Sequence, residues 1–175
     1  MKTILFVCTG NVCRSPMAEG WARHLLAGRD EIRVMSAGLG TADGQPPSAH
    51  AVEAMRQLGV DISGLRSRRL TPELAAEADF IFGLAQSHVD SVIMNFPEAA
   101  DRVYLLREFD DSAPRTQKDI PDPIGQPLEN YLRVREAIVA AMPSVLKFVE
   151  RSAGARSALR IAIGADHAGL ELKNA

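Results

Sequence analysis

The sequence predicts an α/β fold with a mostly parallel sheet covered on both faces by helices. Two observations predict it. Short β-rich apolar runs alternate along the chain with stretches whose apolar residues recur at helical spacing. The 175 residues, 46% hydrophobic and 24% charged, also suit one sizeable core, because a chain of this length buries roughly 70% of its unfolded surface without needing a disulfide or metal staple.

Thr3 to Val7 is a continuous β-rich run. Gly10 follows, and Ser15-Pro16-Met17-Ala18-Glu19 is helix-compatible, with Pro16 suited to a first turn. Ile32 to Met35 reads as a second short strand, broken by Ser36-Ala37-Gly38-Leu39-Gly40. Ser48 to Leu58 then places Ala51, Ala54, Met55 and Leu58 at helical spacing. Thr71-Pro72-Glu73 opens a short helix, Phe80 to Leu84 is a buried strand, Ser87 to Phe96 a further helix and Val103 to Leu106 the fourth strand.

Arg107 to Pro127 holds four prolines and several acids without periodicity, which marks a long loop of the kind that carries function. From Leu128 the positions Leu132, Ile138, Val139, Met142, Val145, Leu146 and Val149 mark a long amphipathic helix, with a kink expected at Pro143. Residues 152–159 read as a linker, and Leu159 to Gly164 as a fresh strand.

Composition narrows the function classes. Twenty Lys plus Arg against twenty-two Asp plus Glu leave a net charge of −2, which argues against a nucleic-acid surface built on bulk positive charge and confines any anion site to a local pocket. The two cysteines, Cys8 and Cys13, form neither a disulfide framework nor a zinc spacing. Reduced thiols, an N-terminal apolar run too short for a signal peptide and the lack of a ~20-residue apolar span point to a cytoplasmic protein with no membrane partner.

Chemistry concentrates in Cys8-Thr9-Gly10-Asn11-Val12-Cys13-Arg14-Ser15. A cysteine at a strand end and an arginine six positions later bracket a loop that leads into a helix N-terminus. Successive backbone N–H groups and the positive end of the helix point inward at a tetrahedral oxyanion, while the Arg14 guanidinium binds two of its oxygens. The same field favours the nucleophilic thiolate of Cys8. Phosphoryl transfer suits such a site, because a planar fork and backbone dipoles meet the charge with no metal or cofactor. The remaining chemistry needs one carboxyl group, because the leaving group needs a proton and the water that later attacks must lose one; Asp122, in the proline-rich loop, can do both.

On these residues the chain resembles the low-molecular-weight protein phosphatases, whose phosphate loop is Cys, five residues, Arg, then Ser or Thr. The resemblance spans roughly Lys2 to Glu150 and includes Ser36-Ala37-Gly38, Leu70-Thr71-Pro72-Glu73, Ala78-Asp79 and Asp122-Pro123. It implies a three-layer αβα, Rossmann-like domain over residues 1–151 with a four-stranded parallel sheet. It also implies a cysteinyl-phosphate intermediate and a phosphorylated protein as substrate. Cys8 becomes the nucleophile, Arg14 the phosphate clamp, Ser15 a hydroxyl donor to the thiolate, Asn11 with Ser36 a brace for the loop, and Asp122 the general acid. Asp119 is a candidate to orient a cationic substrate group.

The chain departs from the family pattern at several positions. Leu65 stands where some members carry a His that helps brace the loop Asn. Ile124 replaces the aromatic that tyrosine-directed relatives place after Asp-Pro, and Val12 replaces the Thr of arginine-phosphate-directed relatives. An apolar residue at Val12 favours the tyrosine class, with a protein-arginine phosphatase as the alternative. An inactive phosphate-binding regulatory module is the reading from another class. Arsenate reduction would need two further cysteines that the sequence lacks. Cys13 is a candidate reversible disulfide partner for Cys8 under oxidation. His24, His50 and His88 read as packing or surface residues. Residues 160–175 resemble the first strand and turn of bacterial ribose-5-phosphate isomerase B, with Asp166-His167 as the matching pair. That likeness implies a fusion with the start of a second domain.

Overall fold

The computed structural model describes the backbone of residues 1–173 and the side chains of residues 1–154. Four strands, β1 (Lys2–Cys8), β2 (Ile32–Gly38), β3 (Phe80–Gly83) and β4 (Val103–Leu105), form one sheet in the order β2-β1-β3-β4. Every neighbouring pair is parallel. The helices are α1 (Arg14–Leu25), α2 (Ala49–Arg56), α3 (Pro72–Glu77), α4 (Gln86–Asn95) and α5 (Leu128–Lys173), with a 3-10 turn at Pro97–Arg102 ahead of β4.

The unbroken apolar run of β1 follows from burial on both faces. Alternation sends Ile4, Phe6 and Cys8 into a core shared with α1, α2 and α5. Leu5 and Val7 enter the second core, which holds Ala75 of α3 and Val89 and Val92 of α4. The parallel sheet covered on both faces, expected from the alternation, is observed, in the three-layer αβα arrangement that the resemblance implies.

Strand order positions the site. From β1 the chain passes to β2 on one side and later to β3 on the other, so the carboxyl end of β1 is a topological switch point, where open α/β sheets hold ligands. Cys8 is the last residue of β1 and Arg14 the first of α1.

Two expectations are corrected. The second strand does not stop at Met35 but runs to Gly38, because Ser36, Ala37 and Gly38 pair in register with Phe6, Val7 and Cys8. Residues 159–164 form no strand, since α5 continues as helix through 152–159 to Lys173. The physical reason lies in composition: Ala153, Ala155, Ala158, Leu159 and Arg160 are strong helix formers, and Gly154 alone among residues 152–160 opposes them at about 1 kcal/mol. Pro143 lies inside the helix without ending it.

Candidate active site

The loop between β1 and α1 closes on itself through Asn11. This residue adopts φ 53°, the left-handed conformation that asparagine tolerates better than other residues with side chains. The reversal turns the Asn11 N–H toward Cys8 Sγ at 3.3 Å, as in backbone nests that bind anions.

A one-way chain of hydrogen bonds fixes the rest of the loop. The Arg68 N–H donates to Asn11 Oδ1 at 2.9 Å, so the amide must present Nδ2 on its other side. Nδ2 donates to Ser15 Oγ at 2.8 Å and to Ser36 Oγ at 2.9 Å. Ser15 Oγ lies 2.9 Å from Cys8 Sγ, where its hydroxyl can donate to a thiolate. Ser36 in turn donates to Glu19 Oε2 at 2.5 Å. Arg23 Nη2 lies 2.5 Å from the other Glu19 oxygen, an ion pair without hydrogen-bond alignment. Burial pushes the Glu19 carboxyl up, against the Ser36 bond and the Arg23 charge, which favour its ionised form.

Leu65, at the position where some relatives carry a bracing His, leaves no gap, because a main-chain N–H already holds Asn11. Gly38 matters for the same loop. A Cβ there would lie 2.9 Å from the Thr9 carbonyl oxygen and 3.0 Å from Asn11 Cβ. Only glycine lets β2 pass this close behind the loop.

The long loop reaches the site through Ile120. Its side chain is fully buried, its N–H donates to the Leu84 carbonyl at 2.9 Å, and its own carbonyl accepts from Arg14 Nη1 at 3.0 Å. Farther back, Phe109 stacks on Phe148 of α5 with centroids 4.2 Å apart. Two residues beyond Ile120, Asp122 is 45% exposed, with Oδ2 lying 3.5 Å from Arg14 Nη2. Its Oδ1 accepts from the Ile124 N–H at 3.1 Å.

Together these elements enclose a cavity of about 210 Å³ lined by Cys8, Thr9, Gly10, Asn11, Val12, Cys13, Arg14, Asp122 and Ile124. Cys8 and Arg14, 2% and 5% exposed, form its floor, and Thr9, Asp122 and Ile124 are exposed at its rim. The predicted residues Cys8 through Arg14, Asp122 and Ile124 therefore converge, while Ser15 and Ser36 stand behind the loop as braces. Asp119 does not line the cavity. Its Oδ1 accepts from the Gln86 N–H at 2.7 Å and ties the long loop to α4.

The two cysteines differ in surroundings. Cys13 contacts Ser48 Oγ and Tyr131 OH, each at 3.4 Å. Burial pushes its thiol up, with the charges of Asp122 and Cys8 adding to the effect. Both cysteines are free thiols.

Sequence reasoning missed Glu19, Ile120 and His88. His88 is 3% exposed. Its Nδ1 accepts from the Ala85 N–H at 3.1 Å, and its Nε2 lies 3.0 Å from Thr9 Oγ1. Burial pushes this imidazole down to about 4, and the Arg14 charge acts in the same direction. The sequence expectation starts this helix at Ser87; with the observed start after Ala85, which has no capping side chain, His88 three positions on supplies the cap.

Three comparisons with known proteins agree with this geometry. The family model described as low molecular weight phosphotyrosine protein phosphatase matches residues 3–155. A protein-arginine-phosphatase of Geobacillus stearothermophilus is 37% identical over 136 residues, covering 77% of this chain and 87% of that protein. A probable low molecular weight protein-tyrosine-phosphatase of Ralstonia nicotianae is 37% identical over 138 residues, covering 79% and 89%. Among solved structures, the arginine phosphatase of Geobacillus stearothermophilus superposes with a TM-score of 0.77 at 32% identity, over 87% of this chain and 95% of that one.

Proposed function

The chain belongs to the low molecular weight phosphotyrosine protein phosphatase family, and from that premise we propose that it removes phosphoryl groups from protein side chains, phosphotyrosine foremost, through a cysteinyl-phosphate on Cys8. The observation that carries this reading is the convergence of Cys8, Arg14 and Asp122 on one cavity.

In the first step Cys8 Sγ forms a bond to phosphorus as the bond from phosphorus to the leaving oxygen breaks. Asp122, protonated, gives that oxygen its proton. In the second step Asp122 takes a proton from water, the water oxygen bonds to phosphorus, and the S–P bond breaks to return the thiolate and release inorganic phosphate. Arg14 and the N–H groups of residues 9–14 meet the charge on the three equatorial oxygens in both steps. Ser15 donates to the sulfur whenever it leaves as thiolate.

Cys8→Ser tests the reading. Hydrolysis of an aryl phosphate should fall below detection while inorganic phosphate still binds, as measured by calorimetry. Undiminished turnover would remove the thiolate mechanism. Wild-type protein that binds phosphate without any turnover would favour the regulatory module instead.

A second reading, phosphoarginine as substrate, is favoured by the polar rim residue Thr9. Val12 and Ile124 offer apolar walls that fit an aryl ring. Comparing kcat/KM on one peptide carrying each modification decides between them. A cytoplasmic location rests on the free thiols Cys8 and Cys13. Among the described residues no helix is long and apolar enough to cross a membrane. The opening of a second, isomerase-like domain at residues 160–175 rests on the sequence resemblance alone, and no turnover of ribose 5-phosphate is expected from so short a match.

A further inference from the structure

We propose that His88 and Thr9 act as a pair that sets leaving-group preference, the Thr9 hydroxyl accepting a hydrogen bond from leaving groups that carry N–H donors. The inference rests on the phosphatase reading above and names a determinant within the same site.

The argument starts from proton positions. Because the Ala85 N–H points at His88 Nδ1, that nitrogen holds a lone pair. The ring proton of the neutral imidazole therefore sits on Nε2 and is donated to Thr9 Oγ1, 3.0 Å away. Burial and the neighbouring Arg14 charge keep the ring neutral above about pH 4, so this tautomer holds at neutral pH. Thr9 Oγ1 then has one lone pair filled from behind, and one lone pair and its own proton directed elsewhere.

Depth in the cavity says what that hydroxyl meets. Cys8 and Arg14 lie on the floor, and the phosphoryl group must reach them. Thr9 is exposed and lines the same cavity beside Asp122 and Ile124. The group facing Thr9 is therefore the one that phosphorus leaves behind. An aryl ring presents only C–H edges there, whereas a guanidino group presents N–H donors that the open lone pair accepts. Val12 and Ile124 add apolar lining to the same cavity, so the Thr9 hydroxyl is the neutral polar group of the rim that distinguishes a polar leaving group from an apolar one. A site that pairs a substrate donor discriminates against the analogue lacking it, and one hydrogen bond at a water-accessible rim corresponds to a factor of about 10.

The test measures kcat/KM on a phosphoarginine peptide and on phenyl phosphate, for the wild type, Thr9→Val, His88→Asn and the double variant. Asparagine keeps an acceptor for the Ala85 N–H but is too short to reach Thr9, so the helix cap survives while the pair is broken. The expected result is a fall of about 10-fold in the ratio of guanidino to phenyl turnover for Thr9→Val. A fall in the same direction is expected for His88→Asn, with no further fall in the double variant. An unchanged ratio in Thr9→Val, or independent effects in the double variant, overturns the pairing. So does a wild type that hydrolyses phenyl phosphate but not the phosphoarginine peptide. If the wild type hydrolyses neither substrate, the phosphatase reading fails and takes this inference with it.

Discussion

The two loops that meet at the cavity are held by different means. Residues 8–15 are fixed along their whole length. Each polar side chain that could brace the loop is committed, and one chain of hydrogen bonds runs from the Arg68 N–H through Asn11 and Ser15 to the Cys8 sulfur. Residues 107–127 contain no regular element and reach the site through Ile120, which is buried, and Asp119, which is pinned to α4. Among the described residues Asp122 itself keeps only the Ile124 N–H and the Arg14 guanidinium as close partners. The contrast matches what each loop must do. Binding a transition-state anion depends on donors already in place, whereas a general acid needs reach to a proton and access to water.

If that division of labour is right, damage to the long loop alone should separate proton transfer from anion binding. Asp122→Asn keeps an acceptor for the Ile124 N–H and leaves residues 8–15 untouched. Turnover of substrates with poor leaving groups should fall about 100- to 1,000-fold, with a smaller fall for good leaving groups. Inhibition by inorganic phosphate should be nearly unchanged. Equal losses across a leaving-group series would break the comparison, because Asp122 would then be acting on binding.

A smaller effect is expected at the anchor. Ile120→Ala deletes a fully buried side chain and costs about 2–4 kcal/mol of packing, while the main-chain bonds to Leu84 and Arg14 remain available. Loosening the fully buried residue two positions before Asp122 should lower kcat about 10-fold by misplacing the acid, with the melting temperature also reduced. Phosphate affinity falling in parallel with kcat would show that the two loops are one unit, not two.

These differences also explain what was legible in the sequence. The first loop could be read because its chemistry is local: Cys8, Arg14 and Ser15 lie on one short segment, and the flanking strand and helix announce themselves by pattern. Asp122 is legible through the Asp122-Pro123 match to the family pattern, within a proline-rich stretch whose lack of periodicity marks a functional loop. Ile120 is not, since one isoleucine in such a loop carries no periodic signal, and its main-chain partners, Leu84 and Arg14, are both far away in sequence. Glu19 was invisible for a similar reason. A glutamate in an early helical turn is ordinary until Ser36 and Arg23 are brought to it. The second strand was cut short because Ser36-Ala37-Gly38 resembles a turn. Pairing with β1 overrides that local preference, and Gly38 serves close approach rather than reversal. Residues 159–164 look like a strand because their apolar run is continuous, yet the alanines around them favour helix, and α5 runs on to Lys173.

The smallest expected effect concerns the element where the two loops are joined. The first turn of α4 carries both links: His88 contacts Thr9 of the first loop, and the Gln86 N–H holds Asp119 of the second. His88 titrates near 6.5 when unfolded and at about 4 in the folded chain. Between those values the unfolded chain binds a proton that the folded chain does not, so stability falls as pH drops from about 6.5 to about 4 and this contribution is complete above that window. The groups facing the ring are Arg14, which opposes its protonation, and Asp119 and Asp122, which favour it. Other carboxylates titrate alike in the wild type and in His88→Asn, so the difference between their melting temperatures isolates the histidine. Relative to His88→Asn, the wild type should lose stability on acidification through that window and show no change in the difference above about pH 7. Parallel curves would mean that the imidazole is not held neutral by its surroundings, and the link between the two loops at α4 would be one of packing alone.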